Sequence, residues 1–112
     1  MFTDMVGFTA LSQSDEPLAM ELLGEQRSLV RPILAKHSGR EIKTIGDAFL
    51  VEFDSALDAV RCAVDIQAGL KGENAHREKG RAINVRIGIH LGDVIHDGAD
   101  VGGGRRQRSL TD

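Results

Sequence analysis

The sequence predicts an α+β fold in which one antiparallel sheet carries its helices on a single face. Three observations predict it. Apolar residues recur at helical spacing in two stretches, within 18–34 and 59–70. They alternate at a period of two within 40–53 and 83–89, and Met1 to Val6 also reads as strand. The segments follow one another in the order β-α-β-β-α-β.

Met1 to Val6 opens as if inside a strand, expected to be short by several residues, and breaks at Gly7. Ser14-Asp15-Glu16-Pro17 is a helix start: a capping side chain, two acids for the helix dipole and an early proline. Leu18, Leu22, Leu29 and Ile33 then form a stripe, flanked by Leu23, Val30 and Leu34. Pro32 should bend this helix by crowding the Ser28 carbonyl, and Gly39 is expected to end it as a left-handed cap. Arg40 to Ile45 and Ala48 to Phe53 read as a hairpin turned by Gly46-Asp47, with Phe49, Val51 and Phe53 facing the core. Ser55-Ala56-Leu57-Asp58 resembles a capping box, and Ala59, Ala63, Ile66 and Leu70 carry the second helix. Residues 71–81 are expected to be an exposed connection. Ile83, Val85, Ile87 and Ile89 form a half-buried strand, turned at Gly92-Asp93 into a short partner, Val94 to His96. Together these make a ferredoxin-like βαββαβ sheet with both helices on one face, lacking its C-terminal part. That architecture hosts many activities and decides none.

Composition narrows the classes. With 112 residues, 41% hydrophobic and 28% charged, the chain is one small globular domain or a piece of one. A net charge of −3 argues against coating a nucleic acid. Cys62 has no cysteine to pair with and reads as a small core residue, so a reducing, cytoplasmic setting is expected. No apolar run in these residues is long enough for a membrane segment, and neither a membrane span nor a basic-then-apolar leader is expected within them. His37, His76, His90 and His96 show no metal-ligand spacing; His37 sits at a helix end, where positive charge is favourable.

Asp4 stands at the end of the first strand and Asp47 in the hairpin turn. The topology can bring both carboxylates to one edge of the sheet. Two hard oxygen ligands, completed by water and phosphate oxygens, suit Mg²⁺ or Mn²⁺. Beside Asp4, Val6-Gly7-Phe8-Thr9 offers successive backbone N–H groups as a phosphate cradle. Taken by themselves, two aspartates at strand ends are as well explained as turn or cap residues, and Gly-Asp suits a hairpin on backbone grounds alone.

Phe2-Thr3-Asp4-Met5-Val6-Gly7-Phe8-Thr9 closely resembles the opening metal motif of class III adenylate and guanylate cyclases. Lys43-Thr44-Ile45-Gly46-Asp47-Ala48-Phe49 is similar to that family's second metal motif, and Arg86 to Gly92 to its following strand. The resemblance covers residues 1–101, in the family's order and spacing. It implies that Asp4 and Asp47, with the Met5 carbonyl, hold two Mg²⁺ or Mn²⁺ ions per site. It implies that Lys43 and Asp100 read the purine, while Gly7, Phe8 and Thr9 of the cradle are the residues expected to bind the substrate's phosphates. Lysine with aspartate is the adenine-reading pair, so the implied substrate is ATP and the products are cyclic AMP and pyrophosphate. Such sites form between two cyclase domains, which implies a homodimer or a second cyclase domain as partner. Lys43 also has a plain reading, as a solvated lysine on an exposed strand.

Residues 102–112 depart from the family. Where it continues with a pattern like D-V-Y-G-D-x-V-N-x-A-S-R, whose asparagine and arginine stabilise transition-state charge, this chain reads Gly102-Gly103-Gly104-Arg105-Arg106-Gln107-Arg108-Ser109-Leu110-Thr111-Asp112. Arg106 to Asp112 admit the codons CGT CAA CGT AGC CTC ACG GAT, which read one base later spell V-N-V-A-S-R. A frameshift near codons 102–105 is the expectation, leaving an aberrant, disordered Gly/Arg tail. A glycine hinge with a solvated basic end is the plainer alternative. Against the cyclase reading stand a catalytically inactive cyclase-homology fragment that binds nucleotide or a partner domain, a diguanylate-cyclase or polymerase-palm relative, and a plain ferredoxin-like interaction domain. The palm relative is disfavoured because KTIGDAF lacks the extra glycine and acidic pair of diguanylate cyclases.

Overall fold

Strands and helices follow in the expected order, and one helix is added to them. The structure is a computed structural model that describes residues 1–90. Asp100, the expected strand from Val94 to His96 and the 102–112 tail lie outside the described residues.

Strand β1 (Phe2–Met5) ends at Gly7, which takes the left-handed conformation at φ 77°. A seven-residue helix α1 (Phe8–Ser14) follows, where the sequence pattern showed none. Phe8 and Leu11 pack it against the core. Asp15 then serves two helices. Its N–H donates to the Leu11 carbonyl at 2.7 Å, and its carboxylate accepts from the Leu18 N–H at 3.1 Å. That second bond caps α2 (Glu16–Lys36), so the capping side chain is Asp15, with Pro17 in the first turn.

The end of α2 corrects one expectation. Ser38, not Gly39, takes the left-handed conformation, at φ 62°. The Gly39 N–H donates to the Leu34 carbonyl at 2.8 Å and the Ser38 N–H to the Ala35 carbonyl at 3.1 Å, the two bonds of a Schellman motif. Glycine at 39 answers a different constraint. A Cβ there would stand 2.9 Å from the Phe53 ring.

Strands β2 (Arg40–Ile45) and β3 (Ala48–Glu52) form the hairpin, with Gly46 at φ 59°. Helix α3 (Ala56–Asn74) starts at Ser55, whose hydroxyl accepts from the Asp58 N–H at 3.1 Å. It runs past Leu70 into the stretch expected to be an exposed connection, because its end is tied down. The Asn74 amide brackets Ile83, donating to its carbonyl at 2.8 Å and accepting from its N–H at 2.9 Å. The Arg77 side chain is only 14% exposed and meets Glu25 of α2 at 2.7 Å, while Arg81 pairs with Glu21. Strand β4 (Val85–Gly88) closes the described chain.

The sheet order is β2-β3-β1-β4, every neighbouring pair antiparallel. The hairpin's second strand, not its first, therefore lies beside β1 at the centre. Thr3 and Met5 of β1, Phe49 and Val51 of β3, and Val85 of β4 are buried under α2 and α3. Leu22, Leu23, Val30 and Leu34 meet them from α2, and Cys62, Ile66 and Leu70 from α3. Since side chains alternate across a strand, Phe2, Asp4, Leu50 and Arg86 fall on the opposite, open face.

Candidate functional site

The open face carries the candidate residues. Asp4 is on β1 one residue before Met5, and the Met5 N–H donates to the Asp47 carboxylate at 2.8 Å. The hairpin turn thus places Asp47 against the residue next to Asp4. This backbone bond fixes Asp47 relative to β1 without consuming the remaining acceptor positions of either carboxylate.

Arg86 supplies the balancing charge. It sits opposite Asp4 across the β1–β4 pair, and its guanidinium donates to both Asp4 oxygens, at 3.1 Å and 3.3 Å. Hydrogen bonding to Asp4, then the charge of Asp4, with a smaller contribution from Asp47, pushes the Arg86 guanidinium above its ordinary value. A planar, two-armed cation beside two carboxylates was missed by sequence reasoning, which read Arg86 only as part of a strand. Its outward position in the alternation Val85-Arg86-Ile87 was the available signal.

Lys43 reaches the open face by an irregularity. Glu41 pairs with Val51 and Lys43 with Leu50, so one extra residue, Ile42, is bulged out of β2. Glu41 lies on the helix side, where Arg31 of α2 meets its carboxylate at 2.9 Å. In a regular strand Lys43 would share that side, two residues on. The bulge turns it over, to the face of Leu50 and Asp4. Lys43 makes no ion pair among the described residues and is exposed, one strand removed from β1.

The cradle expected at residues 6–9 is only partly available. The Val6 N–H is taken by the Asn84 carbonyl at 2.9 Å, which corrects its inclusion. Gly7, Phe8 and Thr9 open α1, before any intrahelical acceptor is available to their N–H groups. Phe8 is half-buried and Thr9 exposed. A cleft of about 750 Å³, lined among others by Arg40, Ile42, Leu50, Glu52 and Ile89, contains neither aspartate. Both carboxylates are half-buried and lie outside that cleft.

No cluster of three or more His, Cys, Asp or Glu side chains suited to a metal occurs among the described residues. Two carboxylates on one edge nevertheless fit Mg²⁺ or Mn²⁺, which keep much of their shell as water and phosphate oxygen. Zinc, with its fuller protein shell, fits less well.

A family model of the adenylate and guanylate cyclase catalytic domain matches residues 1–108. The chain belongs to this family. It is 37% identical over 101 residues to "Putative adenylate cyclase 3" of Rhizobium meliloti, covering 89% of this chain and 17% of that protein. It is 28% identical over 103 residues to "Retinal guanylyl cyclase 2" of Bos taurus, covering 84% of this chain and 9% of that one. The fold of this cyclase domain matches "Adenylate/Guanylate Cyclase/Hydrolase" from Silicibacter pomeroyi with a TM-score of 0.74 at 32% identity, over 88% of this chain and 58% of that chain. Relatives named for either purine are thus similar to it. No helix among the described residues is long and apolar enough to cross a membrane.

Proposed function

We propose that this chain is the nucleotide-binding part of an adenylate cyclase, forming cyclic AMP and pyrophosphate from ATP in intracellular signalling. The observation that carries the reading is the Met5–Asp47 bond, which draws the aspartates of the two motifs to adjoining positions on one open edge. Asp4, Asp47 and the Met5 carbonyl would hold two Mg²⁺ or Mn²⁺ ions. Such ions neutralise phosphate charge and ease ionisation of the attacking hydroxyl.

The residues of the chain bind and orient. Arg86, held on Asp4, is free to turn its fork to the triphosphate when Asp4 meets another cation. Gly7, Phe8 and Thr9 present N–H groups to phosphate oxygen. Lys43 and Asp100 read the adenine, in a site completed by a second copy or another cyclase domain. The exposed Phe2 and Leu50, 39% and 40% accessible on the same face, support such a partner. The bond that forms joins the ribose 3′-oxygen to the α-phosphorus. The bond that breaks frees pyrophosphate, and the hydroxyl proton leaves to solvent.

The sequence of residues 102–112 favours a second reading, that of a cyclase-homology unit which binds nucleotide without turnover. Each missing charge donor would cost about 10²–10³ in rate. The test is cyclic AMP formation by the purified chain with Mn²⁺ and ATP, beside Asp47→Ala. Product that disappears in the variant establishes turnover at this site. Mn²⁺-dependent ATP binding lost in Asp47→Ala, without product, selects the second reading. Binding indifferent to Asp47 overturns both.

A further inference from the structure

We infer that Arg27 of α2 is a positioning residue for the Asp47 turn, setting the affinity of the carboxylate edge for divalent cations. The inference rests on the proposed role of Asp4 and Asp47.

A single guanidinium holds the segment 46–49 at both ends. Arg27 donates through Nη2 to the Gly46 carbonyl at 2.6 Å. The same guanidinium lies over the Phe49 ring, 5.3 Å from its centroid. Asp47 stands between those two anchors. Arg31 lies over the same ring at 5.4 Å and is itself fixed by both oxygens of Glu41, at 2.9 Å and 3.3 Å. A chain of contacts therefore runs from β2 through Arg31, Phe49 and Arg27 into the turn. Phe49 is fully buried, so the anchor is rigid. On its far side, the Met5–Asp47 bond ties the turn to β1, beside the pairing of Thr3 with Phe49. Gly46 has a left-handed backbone and nothing within 4 Å of a would-be Cβ, so packing around it does not restrain the turn.

Electrostatics and positioning predict opposite signs here, which makes the inference testable. Arg27 is a cation close to a proposed cation site. If its charge were what mattered, Arg27→Met would tighten divalent binding. If it positions Asp47, Arg27→Met weakens binding, because the turn loses its donor while the apolar stem still covers Phe49. Loss of an outer hydrogen bond to a metal-holding group typically costs 10–100-fold in affinity, and about tenfold is expected here. A merely structural role would lower the thermal midpoint and leave affinity unchanged.

The experiment titrates Mn²⁺ into the full chain in the presence of ATP, following the free-ion electron paramagnetic resonance signal. Parent, Arg27→Met, Arg27→Lys and Asp47→Ala are compared. Amide exchange of Asp47 and Ala48 is measured without metal. The expected result is about tenfold weaker Mn²⁺ binding and faster exchange in Arg27→Met, with most of both restored in Arg27→Lys, which keeps a donor. Unchanged or tighter binding in Arg27→Met, or unchanged exchange at the turn, overturns the inference alone when Asp47→Ala still abolishes binding. Mn²⁺ bound equally by Asp47→Ala, or not bound by the parent, overturns the underlying site and the inference with it. If Arg27→Met fails to fold, Arg27→Gln decides, because it removes the charge and shortens the donor: weaker Mn²⁺ binding with faster exchange at Asp47 and Ala48 supports the inference, and unchanged or tighter binding overturns it.

Discussion

The two faces of the sheet use the same strands for opposite purposes. On the face under α2 and α3, Thr3, Met5, Phe49, Val51 and Val85 are buried. On the other, Phe2, Asp4, Lys43, Leu50 and Arg86 meet solvent. In β1 the alternation is as tight as a strand permits: Thr3 and Met5 go inward, while Asp4 between them carries the proposed chemistry. The difference teaches that burial and the proposed chemistry divide by residue parity along these strands, with the Arg27 contact to Gly46 as the link between the two sides. A side chain on one face should matter for folding and its neighbour for ligand, and variants can test whether the separation is as clean as the geometry suggests.

Phe49→Ala should produce the largest effect. The ring is fully buried and supports both Arg27 and Arg31. Removing a buried phenylalanine costs about 3–5 kcal/mol, a large part of a small domain's stability. The urea midpoint should fall steeply or folding be lost. A variant that keeps the parental midpoint would mean the helix-covered face is not the core.

Lys43→Glu probes the other face with a smaller effect. Lys43 is exposed and unpaired among the described residues, so stability should change by no more than about 0.5 kcal/mol. ATP affinity should fall by about 1.5–3 kcal/mol, the cost of a lost charged hydrogen bond, with discrimination against GTP reduced. Binding of ATP and GTP, measured calorimetrically on both proteins, checks this. A drop in stability with unchanged nucleotide binding would return Lys43 to the role of a solvated strand residue.

These faces were unequally legible in the sequence. The period-two runs gave the strands, and the helical stripes gave α2 and α3, because burial on one side leaves a direct imprint on residue type. Helix α1 left no such imprint. Its seven residues bury no side chain fully, and its boundary at Asp15 is shared with α2. Gly39 was read as a left-handed cap because glycine usually is one. The constraint was instead the approach of Phe53, a contact between distant segments that no local pattern encodes. The two aspartates were visible through their motifs, but Arg86 and Arg27 were not. Each acts through a partner far away in sequence, Asp4 for one and Gly46 for the other. The bulge at Ile42 was equally hidden, since strict alternation would have placed Lys43 with Glu41 on the covered face.

The smallest effect concerns the helical layer and its pH dependence. His37, at the C-terminal cap of α2, meets Asp65 of α3 at 2.7 Å, and Lys36 approaches the same carboxylate at 3.7 Å. The hydrogen bond with His37 first, and the charge of Lys36 after it, hold the Asp65 carboxyl below its usual range. A depressed folded-state value means that the ionised form is favoured by folding. The resulting stability is present above the unfolded value of about 3.9 and is lost as pH falls through the lower, folded value. Asp65 is well exposed and solvent screens the pair, so the contribution is small. Asp65→Asn should therefore unfold slightly earlier than the parent in urea above pH 5, and the gap should close as the pH falls through the folded value of Asp65. Mn²⁺ binding near neutral pH should be unaffected, because this lock joins two helices on the far side of the sheet from Asp4 and Asp47. Parallel stability curves would show that the α2–α3 contact does not depend on this carboxylate. A loss of metal binding would show that the two faces are coupled after all.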